Sequence, residues 1–165
     1  ESRKIPAQES WNATVKVTKN GRPTVVVRYG HMKKFADKKE TVFDDGITLT
    51  FYNVSGDCTS VLTAERGVMY ELRNDFEAEG NVVVVSKDGK TLKTEKLRWD
   101  EIEQKILSDE FVTITTAEGD TLTGKGFESD PELDFWKINK PRGVTGKAFT
   151  VEELEKEAED DSTQR

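Results

Sequence analysis

The sequence predicts an all-β protein, and three observations carry that expectation. Short runs of β-branched and aromatic residues alternate with polar ones, as in Thr24-Val-Val-Val-Arg-Tyr29 and Ile47-Thr-Leu-Thr-Phe51. Turn signals fall between those runs at regular intervals. The strand-like stretches also repeat with a spacing of about thirty residues, which points to stacked copies of one supersecondary unit.

The elements follow in chain order. Thr24 to Tyr29 is the first strong strand, and Ile47, Leu49 and Phe51 mark the next. Val82 to Val85 forms a continuous apolar run, and Val112 and Ile114 alternate with Thr113 and Thr115. Leu133 to Asn139, with Phe135, Trp136 and Ile138, is the last expected strand. The turns expected between strands are Asn20-Gly21, Asp45-Gly46, Ser55-Gly56-Asp57, Lys87-Asp-Gly-Lys90 and Glu118-Gly-Asp120, since glycine tolerates the positive φ of tight hairpins. Two segments have helical spacing as well: Val68, Leu72 and Phe76 at intervals of four, and Trp99, Ile102 and Ile106 at i, i+3 and i+7. Their charged middles and their position between strands favour hairpin tips.

The repeat supports that choice. A shift of thirty residues carries Val82 onto Val112, Val84 onto Ile114, Gly89 onto Gly119 and Leu92 onto Leu122. One unit earlier the shift is thirty-three, carrying Leu49 onto Val82 and Phe51 onto Val84. Each unit is therefore two strands and two turns. Parity then places Leu49, Phe51, Leu62, Val82, Val84, Leu92, Val112, Ile114 and Leu122 on the inner face, a slip between Thr94 and Leu97, read as a bulge, brings Leu97 and Trp99 in as well, and the thirty-residue shift carries Leu97 onto Phe127. Lys93, Glu95 and Arg98 fall outside.

Composition bounds the function. The 165 residues carry a net charge of −7, which disfavours nucleic acid as a partner. One cysteine, Cys58, excludes an internal disulfide framework, and one histidine, His31, excludes a two-histidine metal motif. Gly143-Val-Thr-Gly-Lys147 lacks the spacing of a phosphate-binding loop. No carboxylate pair, metal set or nucleophile motif emerges, so neither an enzyme nor a cofactor is expected. No apolar run is long enough for a membrane helix.

The order of Gly80-Asn-Val-Val-Val-Val-Ser-Lys-Asp-Gly89, Thr91-Leu-Lys-Thr-Glu-Lys-Leu-Arg-Trp99, Ser108-Asp-Glu-Phe-Val112 and Gly124-Lys-Gly-Phe-Glu-Ser-Asp130 resembles the LptC family of lipopolysaccharide export, over roughly residues 25 to 140. The match is closer to its Bacteroidetes-type branch. The resemblance implies an open, twisted antiparallel β-jelly roll in the periplasm, tethered to the inner membrane by an N-terminal anchor that this chain lacks and that is expected to have been removed. It implies a component of the transport bridge that accepts lipopolysaccharide from an inner-membrane ABC transporter and passes it to an LptA-like β-roll protein. The acyl chains would lie against Leu49, Phe51, Leu62, Val82, Val84, Leu92, Leu97, Trp99, Val112, Ile114, Leu122 and Phe127, with the small residues Ala64, Ala78, Ser108 and Gly124 keeping the trough open. Partner rolls would pair with edge strands, expected at Thr24, Val25, Val27 and Tyr29 on one side and at Phe135, Trp136 and Ile138 on the other. The competing expectation is a carbohydrate-binding or adhesive extracellular β-sandwich module. The domain plan is an N-terminal linker over 1–10, the β-roll over 11–148, and an acidic tail over 149–165 that forms a short helix, with a capping box at Thr150-Val-Glu-Glu153, or is disordered.

Overall fold

Alternation of β-branched and polar residues yields long strands. In the computed structural model, which describes residues 6–139 and 141–145 (the last five by backbone path), they follow one another as β1 (Gln8–Lys19), β2 (Arg22–Phe35), β3 (Glu40–Tyr52), β4 (Cys58–Ala64), β5 (Arg66–Tyr70), β6 (Asp75–Ser86), β7 (Thr91–Asp100), β8 (Lys105–Thr115), β9 (Thr121–Ser129), β10 (Trp136–Ile138) and β11 (Pro141–Thr145). They form one antiparallel sheet in the order β1-β2-β3-β4-β6-β7-β8-β9-β10. β5 continues the line of β4, pairing with β3 and β6, and β11 shares β9 with β10. The two helically spaced segments are hairpins: Met69 pairs with Phe76, and Trp99 with Ile106.

The repeat is visible in the register. Leu62 pairs with Val84, and thirty residues on Leu92 pairs with Ile114. Val84 pairs with Leu92, and thirty residues on Ile114 pairs with Leu122. Four of the five expected turns join strands. The exception is Asp45-Gly46, which lies inside β3 and is a correction to the expected hairpin. Its two positive φ angles, 60° and 87°, make a bulge instead of a reversal, because the strand goes on to pair with β2 on both sides of it.

That bulge belongs to a crease crossing the whole sheet. Register breaks between Tyr29 and His31 in β2, Glu79 and Val82 in β6, Lys93 and Arg98 in β7, and Ser108 and Phe111 in β8 fall along one line. Backbone hydrogen bonds from Gly46 N to Glu65 O and from Glu65 N to Gly80 O stitch it, as do Asn139 N to Gly126 O and Lys125 N to Asn139 O further along. Gly80 and Gly126 have φ of 89° and 90° at this crease, and a Cβ there would meet Glu65 Oε1 at 2.7 Å or Asn139 Nδ2 at 2.9 Å, so both positions need glycine.

The crease divides the sheet into two leaves. The first holds the strand halves ending at turns 20–21, 53–57, 87–90 and 116–120; the second holds the halves ending at turns 36–39, 71–74 and 101–104. Two contacts show the leaves folded over one another. Phe51 of the first leaf packs on Trp99 of the second with ring centroids 4.7 Å apart. Thr24, on the first leaf, donates to Glu101 at the β7–β8 tip over 2.9 Å. In a flat sheet these groups would lie at opposite ends of strands several positions apart. The apolar core fills the space between the leaves.

The N-terminal edge also differs from expectation. Thr24, Val25, Val27 and Tyr29 are not at an edge, because β2 is flanked by β1 as well as β3. Val25, Val27 and Tyr29 are buried in the core. The edge is β1, which begins at Gln8, ahead of the boundary expected at residue 11. The acidic tail over 149–165 lies outside the described residues.

Candidate functional site

Period-two alternation puts one aliphatic side chain from each strand into the same line. Val27, Leu49, Leu62, Val84, Leu92, Ile114 and Leu122 are successive cross-strand partners from β2 to β9. By register the line extends to Val15 in β1. Seven strands at about 4.8 Å spacing make a row of about 29 Å, perpendicular to the strands. All seven side chains are Val, Leu or Ile, and none is more than 1% exposed.

The second leaf supplies an aromatic counterpart. Phe76, Trp99 and Ile106 are cross-strand partners, and Phe43 packs between Tyr29 and Phe76 at centroid distances of 5.1 and 5.6 Å. The twelve residues expected to face inward are all placed there, each at most 3% exposed. They occupy both leaves, and in this conformation they are shut from solvent. Ala78 and Ser108 are inside too, Ser108 giving its hydroxyl to Lys96 O over 2.7 Å. The Ser60 hydroxyl is buried without a hydrogen-bond partner near the turn end of β4.

A polar latch holds the leaves together at one mouth. Glu101, buried at the β7–β8 tip, accepts from Trp99 Nε1 at 2.8 Å with one carboxylate oxygen and from Thr24 Oγ1 at 2.9 Å with the other. Its own amide donates to Asp75 Oδ1. Sequence reasoning missed this group, because two of these three partners, Asp75 and Thr24, lie 26 and 77 residues away and no local pattern announces them.

At the other expected edge, Ile138 is fully buried, Trp136 is half-buried and stacked near Phe127 at 6.3 Å, and Phe135 is exposed in the preceding loop. Strand β10 covers only Trp136–Ile138 of the expected 133–139.

His31 lies on the outer surface of the second leaf. Its Nε2 faces Glu9 at 2.6 Å and its Nδ1 faces Asp44 at 2.7 Å, while Trp11 stacks on the ring at 5.2 Å. The two hydrogen-bonded carboxylates, Glu9 first, hold its pKa above the ordinary histidine value. His31 with Asp44 and Asp45 also has the composition of a cation-binding group. A metal at Nδ1, however, would have to displace the proton that joins it to Asp44.

The family model described as lipopolysaccharide assembly, LptC-related, matches residues 9–134. No curated protein matches the sequence. Among solved structures, the fold is similar to the crystal structure of LptH, described as the LptA-homologous periplasmic component of the conserved lipopolysaccharide transport device from Pseudomonas aeruginosa. The TM-score is 0.60 at 10% identity, covering 76% of this chain and 96% of that one. The creased antiparallel sheet is thus a β-jelly roll of the kind that structure contains.

Proposed function

Because the chain belongs to the LptC-related family of lipopolysaccharide assembly, we propose that it is a periplasmic transport component that carries lipopolysaccharide by its acyl chains between its two leaves. The observation that carries this reading is the unbroken aliphatic row from Val27 to Leu122. A bilayer's hydrocarbon core is about 30 Å thick and two acyl chains deep, so one chain is about 15 Å long. The row is long enough for such chains. Removing apolar surface from water supplies about 25 cal/mol per Å² without any polar anchor.

The packed interior supports a mechanism in which the leaves must part. Lipid enters when the leaves part at the mouth closed by Glu101, and the crease lets them part without breaking the strand ladder on either side. The lipid arrives from an inner-membrane ABC transporter and leaves for an LptA-like β-roll. The contacts with those partners run through β1 at one end of the sheet and β10 and β11 at the other, since free strand edges accept further strands. No step makes or breaks a covalent bond in this protein.

The test places a photo-reactive side chain at Leu92 or Val112, and at the outward Lys93 as reference. Capture of lipopolysaccharide at the two interior positions and not at Lys93, in protein with an unchanged circular dichroism spectrum, is the expected result. Capture at Lys93 alone would refute transport between the leaves.

A further inference from the structure

The outer surface of the first leaf has an unusual charge pattern. Two outward rows cross it. One runs Lys16, Val26, Thr50, Val61, Val85, Thr91, Thr115 and Thr121. The other contains Thr14, Arg28, Thr48, Thr63, Val83, Lys93, Thr113 and Thr123. Neither row holds an acidic residue, although the chain has 32 of them. The matching outward row of the second leaf alternates in sign, as in Glu77, Arg98, Leu107, Glu128 and Lys137.

At the β1 end this surface deepens into an open groove lined by Lys16, Arg22, Arg28 and Tyr52. Arg22 donates to the Val54 carbonyl at 2.7 Å. Among the described residues, no carboxylate is ion-paired with Lys16, Arg22 or Arg28. Three cations thus line one groove with no ion-paired carboxylate among the described residues.

The chain holds its own candidate countercharge. Residues 149–165 contain seven acids and two bases, with Glu157, Glu159, Asp160 and Asp161 close together. Thr145 of β11 is the described residue nearest to this segment in sequence. Thr145 of β11 pairs with Thr121, in the same outward row that ends at Lys16, and on the same turn side as Arg22. From β11 to β1 that row crosses eight strand spacings, or about 38 Å. Residues 157–161 lie twelve to sixteen positions beyond Thr145. At about 3.3 Å per residue they reach about 40 to 53 Å.

We propose that the acidic segment Glu157–Asp161 crosses the outer surface of the first leaf and seats in the groove formed by Lys16, Arg22 and Arg28. The Thr- and Val-lined rows offer it a path that itself holds no acidic residue, and the three cations end that path. Seated there, it neutralises the cations beside edge strand β1. The attraction is between exposed groups, so it fades as the Debye length shrinks from about 8 Å at physiological salt to about 3 Å at 1 M.

The test uses the full chain and a zero-length carbodiimide, which joins an amine to a carboxylate only in contact. Peptide mass spectrometry is expected to find Lys16 joined to a carboxylate within 157–161. That product is lost at 1 M salt and in the Arg22→Glu, Arg28→Glu double variant, which changes only exposed side chains. A mixture of isotopically light and heavy chains must give the product within one chain; products joining light to heavy would overturn the proposal in favour of a second copy. Absence of any Lys16 product within 157–161 would overturn it as well. Vesicles containing phosphatidylglycerol give a further arm. Neutralising the segment with Glu157→Gln, Glu159→Gln, Asp160→Asn and Asp161→Asn is expected to increase vesicle binding through the freed groove. Vesicle binding through Arg28 that is unchanged by that neutralisation would assign the groove to a membrane surface instead.

Discussion

At the scale of single residues, His31 ties the edge strand to the sheet. Both ring nitrogens face carboxylates, so both must donate for the arrangement to be complete, and only the imidazolium has two N–H groups. The raised pKa gives the sign of the pH dependence. A group whose folded pKa lies above its unfolded value contributes stability below the unfolded value, near 6.5 for histidine, and loses it as pH rises through the folded value. The thermal midpoint of the protein relative to His31→Ala is therefore expected to be higher at mildly acidic pH and to converge with it on the alkaline side. Hydrogen exchange at the β1 amides around Glu9 and Trp11 should quicken over the same interval. A constant difference between the two proteins across that range would remove His31 as the group responsible.

At the scale of elements, Glu101 is the test of how the leaves are held. It joins a hairpin tip of the second leaf to β2 in the first through the hydrogen bond from Thr24, while its other carboxylate oxygen accepts from Trp99 of the same hairpin. Hydrogen bonds to charged groups contribute about 1.5–3 kcal/mol each, and an orphaned Trp99 N–H adds to the loss. Glu101→Ala is expected to lower the denaturant midpoint and to raise the solvent accessibility of Trp99, read by fluorescence quenching with acrylamide. An unchanged quenching constant would mean that the mouth is held elsewhere. Strand identities and inward parity were legible because period two survives in sequence: Val82, Val84, Leu92, Ile114 and Leu122 could be placed without coordinates. Strand β1 was not, since Val17 alone of its residues is buried and its Trp11 is exposed, leaving no strong alternation to read. The crease was not either. Asp45-Gly46 carries the same chemistry in a bulge as in a hairpin, and only the pairing of the residues beyond it tells the two apart. The Glu101 latch is a contact between distant segments, which periodicity does not encode.

At the scale of the whole molecule, the sheet is a roll with strand edges at its two ends. At the C-terminal end the side chains divide into two kinds. Ile138 is fully buried, so Ile138→Asp places a carboxylate in the core and is expected to cost several kcal/mol of stability. Phe135 is exposed, so Phe135→Asp should leave the unfolding transition in place and report on partner contact alone. Co-purification with an LptA-like roll, with unfolding curves as the control, distinguishes them. Loss of partner binding in Phe135→Asp with an unchanged transition places the contact at this end; retention moves it away from Phe135.

The aliphatic row has one more consequence, and it concerns motion. Its rungs, Leu49, Leu62, Val84, Leu92, Ile114 and Leu122, are nearly equal in size and chemistry and recur once per strand. A methylene chain laid along them and displaced by one rung leaves one aliphatic contact and gains a near-identical one. The energy along that direction is a shallow corrugation with a period of about 4.8 Å, and it has no single deep minimum. Such a surface retains a hydrocarbon against escape into water while offering little resistance to its sliding. For the lipid cargo proposed above, holding and moving would thus be independent properties, one set by buried area and the other by the sameness of the rungs.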